Sequence, residues 1–579
     1  MKNIFSIISI LFLFFIQCSS LQVPSEKKSD LQMEISEKIL NRANQSKLKA
    51  VSYSVISKNE ILLMETAGIK DLDMSEAGNE TGFKIGSVTK VFTALLVLKL
   101  VEEGKVKLDN PITDYLKDFE MKKRYPTRYP TVRELLTHHG GLPSDFFSGF
   151  EFSNIPGDES TEFRKLPLHL KEIYTADKPS KVMAYSNLSY SLLAILIERM
   201  GGMDLEEYAR QKIFDPLGMN STTYLNNLNT KNNSRGFVNG NVVSPPRIRD
   251  LGAGSMTSSS KDMSKFMMMI NQNGMYDTKR LFKEETISEM FKIQNETSAL
   301  DANFKMGIPF WRGVSKNSGK EYFLHGGDLP PFHAILLFDR DEKNSIFIST
   351  NTMSSSMQFK DVAYSVMDLL STKPSNPMEQ SEPIGITAEK QKEIAGTYRN
   401  LTSDLIIEPS GDELKTSLWP VYLEGNTSDT FRMKLRLFFG LLPLRLSALQ
   451  VLDFHFLKEK DKKYLSLTTD AMYLTSYEAY EKKEISQIWK NRYGKYRNTG
   501  LDKKMISEIE IGEENGNPIM KGIINISNMS IDFHYMLTID SDSLAFTSGR
   551  GRNSGDSIEF IGSDSKEKFR YSGFIFQKY

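Results

Sequence analysis

Three polar residues in this chain form a candidate proton-transfer set. Ser87 and Lys90 are three positions apart, and Tyr185 follows much later in the sequence. If residues 87–103 are helical, Ser87 and Lys90 share one face, and the lysine nitrogen can reach the serine oxygen. A serine hydroxyl is a weak nucleophile at neutral pH, so a base must take its proton during attack. Lys90 could be that base if burial lowers its pKa, and an ionised Tyr185 beside it is the alternative.

The run that begins at Ser87 predicts a buried helix. Residues 87–103 are rich in helix formers, and Gly104 can take the left-handed conformation that ends many helices. Apolar residues occupy nearly every side of this helix, which places it inside a domain. A serine that merely caps a helix would give the same Ser-x-x-Lys pattern. The neighbouring motifs therefore decide between a nucleophilic Ser87 and a Ser87 that only caps the helix.

Further motifs follow the Ser87-x-x-Lys90 pair in a fixed order. They are Tyr185-Ser186-Asn187, Gly252-Ala253-Gly254-Ser255 and His325-Gly326-Gly327. Together they closely resemble the serine β-lactamase and penicillin-binding-protein superfamily. The resemblance is strongest to its class C-like branch, which also holds D-aminopeptidases, D,D-peptidases and carboxylesterases, and it covers residues 55–351.

The resemblance implies a role for each of these residues. Ser87 would form an acyl-enzyme, while Lys90 and Tyr185 would move its proton. Asn187 would hydrogen-bond the acyl side of the substrate. The backbone N–H groups of Ser87 and Asp328 would form an oxyanion hole, which stabilises the charge that develops during acyl transfer.

The third motif departs from the β-lactamase pattern. Where β-lactamases and transpeptidases usually carry a lysine, this chain has His325, followed by Gly326 and Gly327. A histidine is mostly neutral at pH 7, and each ring nitrogen offers one donor or one acceptor. This predicts a substrate whose recognition needs no fixed cation, such as an ester or an amide, and it resembles the D-aminopeptidases and some esterases. The alternative is a structural histidine before a turn.

Composition and histidine spacing argue against a nucleic-acid-binding surface and against a metal site. The 73 basic and 73 acidic residues cancel, so no bulk charge favours nucleic acid. His138 and His139 are adjacent and point in different directions, and no carboxylate or cysteine follows at ligand spacing. We therefore expect neither a metal nor a cofactor.

The only cysteine in the sequence, Cys18, follows an uncharged stretch at 4–16. That stretch is too short to span a bilayer but fits the apolar region of a signal peptide. The pattern resembles bacterial lipoproteins and predicts a signal peptide at 1–17, a lipidated Cys18 and a tether at 18–32. Lipidation would anchor the protein to a membrane of the bacterial cell envelope, at the outer membrane or the periplasmic face. Cleavage after Ser20 is the alternative and would give a soluble exported protein.

The chain is too long for one hydrophobic core and predicts several domains. Residues 33–370 are expected to form an α+β hydrolase domain, in which an antiparallel sheet is flanked by helices and accompanied by an all-α region. A proline-containing linker is predicted at 371–386.

Residues 394–400 are echoed at 492–498, which indicates two related modules at 387–484 and 485–579. Their strand-like runs predict small antiparallel β-barrels. No titratable cluster in these modules looks catalytic, and we expect them to narrow the active-site cleft or to bind a partner.

These patterns predict an exported serine hydrolase that acts through an acyl-enzyme on a small ester, amide or D-amino-acid peptide. One alternative is a β-lactamase or D,D-carboxypeptidase of cell-wall metabolism. The other is a non-catalytic surface protein that binds a partner through a hydrolase scaffold.

Overall fold

The structure is a computed structural model of the chain. It describes residues 28–150, 163–226, 232–354, 356–377, 382–418, 420–437, 442–444, 452–500, 503–526, 529–562 and 567–579. Cys18 and the predicted signal peptide lie outside the described residues, as does the predicted tether up to residue 27.

Helices occur mainly in the first part of the chain. They are α1 Asp30–Gln45, α2 Thr89–Glu102, α3 Val132–Leu136, α4 Leu166–His169, α5 Asn187–Gly201, α6 Leu205–Ala209, α7 Asp215–Leu217, α8 Leu251–Gly254, α9 Ser260–Asn271, α10 Glu284–Phe291, α11 Lys360–Leu370, α12 Ala388–Ile394 and α13 Gln487–Asn491. The helix predicted from Ser87 begins as a 3-10 turn at Gly86–Val88 and continues as α2. Most of α2 is buried, as predicted from its apolar sides. None of the helices in the described parts of the chain is long and apolar enough to cross a bilayer.

The first thirteen strands belong to the N-terminal domain. They are β1 Ala50–Ser57, β2 Glu60–Gly68, β3 Phe83–Lys84, β4 Gly236–Val238, β5 Asn241–Val243, β6 Thr257–Ser258, β7 Met275–Tyr276, β8 Lys279–Arg280, β9 Lys305–Met306, β10 Trp311–Val314, β11 Glu321–Leu329, β12 Phe332–Asp339 and β13 Asn344–Thr350. Seven of them form an antiparallel sheet in the order β2-β1-β13-β12-β11-β10-β9.

Both faces of this sheet are covered because successive side chains of a strand point to opposite faces. On β12, Leu336 and Phe338 belong to the core that α2, α5 and α9 share. Ile335 and Leu337 belong to the opposite core, which α1 and α11 share. The predicted α+β class, with a helix-flanked antiparallel sheet and an all-α region, is confirmed.

The first C-terminal module is a closed barrel. Its strands are β14 Gly396–Arg399, β15 Asp404–Ser410, β16 Glu413–Thr416, β17 Val421–Gly425, β18 Thr430–Leu437, β19 Leu442–Leu444, β20 Asp453–Glu459, β21 Lys462–Thr468 and β22 Tyr473–Ala479. The ring closes because β17 pairs with both β16 and β18, and β19 pairs with the end of β18.

The second module is also a closed antiparallel barrel, as predicted. Its strands are β23 Gly494–Asn498, β24 Glu508–Glu514, β25 Asn517–Ile526, β26 Met529–Ile539, β27 Leu544–Thr547, β28 Ser557–Ile561, β29 Lys568–Tyr571 and β30 Phe574–Lys578. The two echoed segments occupy the same place in each barrel, a short helix followed by the first strand. Tyr398 and Tyr496 each donate a hydrogen bond to the carbonyl four residues earlier, at 2.5 and 2.7 Å. The echo therefore reflects a repeated structural unit.

Both barrels pack against the N-terminal domain. In the first barrel, the Ser466 hydroxyl donates to the Leu300 carbonyl at 2.8 Å. In the second, Glu559 accepts from Lys122 at 2.9 Å, and the Ser572 hydroxyl accepts from the Phe147 N–H at 2.8 Å. The exact domain boundaries remain predictions.

Candidate active site

Ser87 lies in the turn that leads into α2, and its position is fixed from both sides. Strand β3 pairs with β6 immediately before this turn. Gly86 has φ +51°, and a Cβ there would lie 2.8 Å from the backbone nitrogen of Asp328. Only glycine fits such a backbone at this separation. The turn thus brings the half-buried Ser87 against strand β11.

Lys90 lies one turn beyond Ser87 and is fully buried. Its Nζ is 3.1 Å from the Ser87 Oγ, 2.7 Å from the Asn187 Oδ1 and 2.7 Å from the Ala253 carbonyl oxygen. Burial, and next the positive charge of Arg552, lower the pKa of Lys90 well below its ordinary value.

When Lys90 is unprotonated, these contacts give its amine a defined orientation. A neutral amine has two N–H bonds and one lone pair. The amide oxygen of Asn187 and the carbonyl of Ala253 can only accept, so they take the two N–H bonds. The lone pair of Lys90 is left for the hydroxyl of Ser87, which is the arrangement that a general base needs.

Tyr185 precedes α5 and completes the set. Its ring centroid is 4.8 Å from the Lys90 Nζ. Burial raises the pKa of Tyr185, and a hydrogen bond with Ser87 opposes this rise without cancelling it. Tyr185 therefore stays a neutral phenol at physiological pH. The structure brings the three predicted residues together.

Asn187 is the first residue of α5 but does not cap it. The cap is Ser186, whose hydroxyl accepts from the Ser189 N–H at 3.0 Å. The Asn187 Nδ2 donates to the Asp145 carboxylate at 2.8 Å, and this donation directs the amide oxygen toward Lys90. Asp145 was not singled out from the sequence, because no motif marks it.

The third motif lies on β11, beside the turn that carries Ser87. A Cβ at Gly327 would lie 2.0 Å from the Ile85 carbonyl oxygen, so only glycine allows this approach. Strand β10 pairs with β11 only over Glu321–Leu324, which leaves the edge from His325 onward unpaired by β10. The carboxylate of Asp328 is half exposed and accepts a hydrogen bond from His333 at 2.5 Å.

His325 is buried and stacks on Trp311, with ring centroids 5.3 Å apart. Its Nδ1 is 2.7 Å from the Gly326 carbonyl, which can only accept, so the proton is on Nδ1 and Nε2 is an acceptor. Burial, followed by the charge of Lys90, lowers the pKa of His325 to about 3. Nε2 is buried and contacts no hydrogen-bond partner among the described residues. His325 is therefore a neutral acceptor at this site.

The two adjacent histidines support the loop around Tyr185. The His138 ring lies 4.2 Å from the Tyr185 ring, and its Nδ1 accepts from the Ser186 N–H at 3.1 Å. His139 hydrogen-bonds Asp301 at 2.8 Å through Nε2. Within the described ranges, no group of three or more histidine, cysteine, aspartate or glutamate residues could hold a metal ion.

One residue at the site comes from the second barrel. The Arg552 guanidinium lies 5.2 Å from the Tyr185 ring centroid and 3.9 Å from the Asp145 carboxylate. Arg552 lies far from the other site residues in sequence and on a different domain. No sequence motif marks it, so only the packing of the barrel could show it.

Most of the N-terminal domain matches a known protein family. Residues 35–370 match the family model described as Beta-lactamase. Beta-lactamase-like protein 4 of Dictyostelium discoideum is 28% identical in an alignment of 352 residues, which covers 56% of this chain and 61% of that protein. The chain thus spans about three-fifths of this curated relative.

Solved structures share the fold at low identity. The octameric penicillin-binding protein homologue from Pyrococcus abyssi aligns with a TM-score of 0.50 at 18% identity, over 95% of this chain and 100% of that chain. EstCE1, described as a hydrolase with promiscuous acyltransferase activity, aligns with a TM-score of 0.50 at 15% identity, over 58% of this chain and 100% of that chain.

Proposed function

The chain belongs to the beta-lactamase family, whose members are generally serine hydrolases, and from this premise we propose that it hydrolyses an ester or amide through an acyl-enzyme on Ser87. The observation that carries the proposal is the contact set of Lys90. In the unprotonated amine, the two N–H bonds have acceptors, and the lone pair is left for the Ser87 hydroxyl at 3.1 Å.

In the proposed acylation, Lys90 takes the proton of Ser87 as its oxygen attacks the carbonyl carbon of the substrate. Burial supports this role because it lowers the pKa of Lys90 while raising that of Tyr185. Tyr185 then acts as a neutral phenol, which passes a proton from Lys90 to the leaving group as the bond to that group breaks. In deacylation, a water molecule attacks the acyl carbon and gives a proton to Lys90. The bond to the Ser87 oxygen then breaks, this oxygen takes back the proton, and the acyl group leaves as a carboxylic acid.

The negative oxygen of the tetrahedral intermediate needs donors that are in place before the reaction. We assign these to the backbone N–H groups of Ser87 and Asp328, which the close approach of β11 to the nucleophile turn supports. Removal of one such donor costs about 3 kcal/mol of transition-state stabilisation in other enzymes. Asn187 and the Nε2 acceptor of His325 would then orient the substrate along the unpaired edge of β11.

Reaction with a fluorophosphonate probe tests the proposal, because the probe labels an activated serine covalently. We expect wild-type protein to be labelled at Ser87 and Ser87→Ala to remain unlabelled. Lys90→Ala should slow labelling by about a hundred- to ten-thousandfold, the usual contribution of a general base. Ser428→Ala, an exposed serine of the first barrel, is the matched control. Equal labelling of wild type and Ser87→Ala would refute the proposal.

The alternatives make different predictions for the same purified protein. A β-lactamase or D,D-carboxypeptidase would hydrolyse a chromogenic cephalosporin faster than a short nitrophenyl ester. A non-catalytic surface protein would bind its partner equally well after Ser87→Ala.

The export of the protein is also a proposal, supported by the sequence around Cys18 alone. We infer that Cys18 is lipidated and holds the hydrolase at the bacterial cell envelope. Radiolabelled palmitate should enter the wild type but not Cys18→Ala, and failure to label the wild type would favour a soluble exported protein.

A further inference from the structure

The second barrel places a positive charge at the mouth of the candidate active site. Arg552 lies above the ring of Tyr185, and 54% of its side chain is exposed. The sequence predicted a site without a fixed cation, because His325 replaces the usual lysine of the third motif. The structure supplies a cation from another domain.

The loop that carries Arg552 is fixed on both sides of that residue. Before it, Arg550 forms a buried ion pair with Asp177, and its Nε donates to Glu478 at 3.1 Å. After it, the backbone N–H of Asn553 donates to the Ser144 hydroxyl at 2.7 Å. The contacts of its neighbours along the chain therefore hold Arg552 at the site.

Gly555 brings the end of the same loop against the hydrolase domain. Its φ is +84°, and a Cβ there would lie 2.4 Å from the Ala176 carbonyl oxygen. A residue with a side chain would push the loop away. The position of the loop against the N-terminal domain thus depends on glycine at residue 555.

The charge of Arg552 is only partly compensated by its surroundings. Its nearest carboxylate, Asp145, is 3.9 Å away, which is beyond hydrogen-bond length, and Asp145 already accepts from Asn187. Among the described residues, the Arg552 guanidinium donates no hydrogen bond to another side chain. His325 is neutral, so within the described residues Arg552 is the exposed cation of this site.

We propose that Arg552 binds a carboxylate on the leaving-group side of the substrate. This inference rests on the proposed function, because it locates the leaving group by Tyr185, the residue that would protonate it. A guanidinium offers two parallel N–H donors that match a carboxylate, and such charge-assisted pairs are strong and selective. The same charge repels a protonated amine on the leaving-group side of a substrate.

A pair of nearly isosteric esters tests this inference. The 3-acetoxybenzoate ion and 3-acetoxybenzamide share an acyl group and differ in the charge of the leaving phenol. We expect wild-type protein to have the higher kcat/KM for the benzoate. Arg552→Gln should lower the ratio of the two kcat/KM values by about ten- to a hundredfold, mainly through the KM for the benzoate.

Two further variants separate recognition from general effects. Arg552→Lys keeps the charge and should restore part of the ratio. Arg497→Gln removes an exposed arginine on β23 of the same barrel, away from Tyr185, and should leave the ratio as in wild type.

The outcomes distinguish this inference from the proposed function. A wild-type ratio near one, or an equal fall for both esters in Arg552→Gln, would overturn the role of Arg552 while Ser87 is still labelled by fluorophosphonate. An unlabelled Ser87 would instead remove the proposed function on which this role depends.

Discussion

Lys90 and Tyr185 lie side by side, and burial moves their pKa values in opposite directions. Burial disfavours the charged form of any group, so it lowers the pKa of an amine and raises that of a phenol. Both residues are thus neutral at the same pH. The amine then has a lone pair for Ser87, and the phenol keeps a proton to donate.

The pH dependence of kcat/KM tests this assignment. The active form has Lys90 unprotonated, so activity should fall as the pH decreases through the lowered pKa of Lys90. The plateau should be reached well below pH 10.4, the usual lysine value. In Tyr185→Phe the plateau should drop while the acidic limb keeps its position.

A different result would identify Tyr185 as the base. Because burial raises the pKa of Tyr185, a tyrosinate mechanism would place the rise in activity above pH 10, and Tyr185→Phe would abolish that rise. Circular dichroism on the same samples must show that the wild-type protein stays folded at the extreme pH values.

At this scale the sequence predicted the residues that share a motif with Ser87. It predicted Lys90 because three positions along a helix make two residues neighbours. It did not predict Asp145 or Arg552, which reach the site through loops and domain packing. Such contacts leave no periodic signal in the sequence.

Strand β11 positions the candidate oxyanion donors by lying against the nucleophile turn. The contact depends on Gly327, because any Cβ there would meet the Ile85 carbonyl at 2.0 Å. The backbone of β11 can approach the nucleophile turn this closely only because residue 327 has no side chain.

We expect Gly327→Ala to slow fluorophosphonate labelling of Ser87 by about a hundredfold or more, since displaced donors no longer match the developing oxyanion. Gly512→Ala, on β24, is the matched control, because a Cβ there would meet nothing within 4 Å. Labelling of Gly327→Ala at the wild-type rate, with an unchanged melting temperature, would contradict this role of β11.

Some strands of the sheet can be predicted from their residues, and one cannot. The apolar, β-branched runs 334–338 and 345–350 lie within strands β12 and β13. The third motif precedes these runs along the chain and lies within a strand of its own, β11. Adjacent glycines have low strand propensity, so the pattern did not indicate a strand there.

At the scale of the whole molecule, the second barrel is docked by a buried ion pair. Arg550 and Asp177 have side chains that are 8% and 12% exposed. Removing one member of a buried pair leaves the other charge without compensation.

We expect Arg550→Gln to lower the free energy of unfolding by about 3 kcal/mol, measured by urea denaturation, and to reduce the preference for the benzoate ester by displacing Arg552. Lys373→Gln breaks the exposed Lys373–Asp341 pair and should cost much less, because solvent screens an exposed pair. Equal destabilisation by both variants would show that the Arg550 pair has no special role in docking.

The loop that presents Arg552 separates anchoring from recognition. Arg550, Asn553 and Gly555 hold it in place, while residue 552 itself has half of its side chain in solvent. Changes at this one position alter the wall of the cleft without touching the nucleophile helix. Saturation mutagenesis of codon 552 is accordingly a direct route to variants that keep the proposed acyl-transfer chemistry and accept leaving groups of another charge.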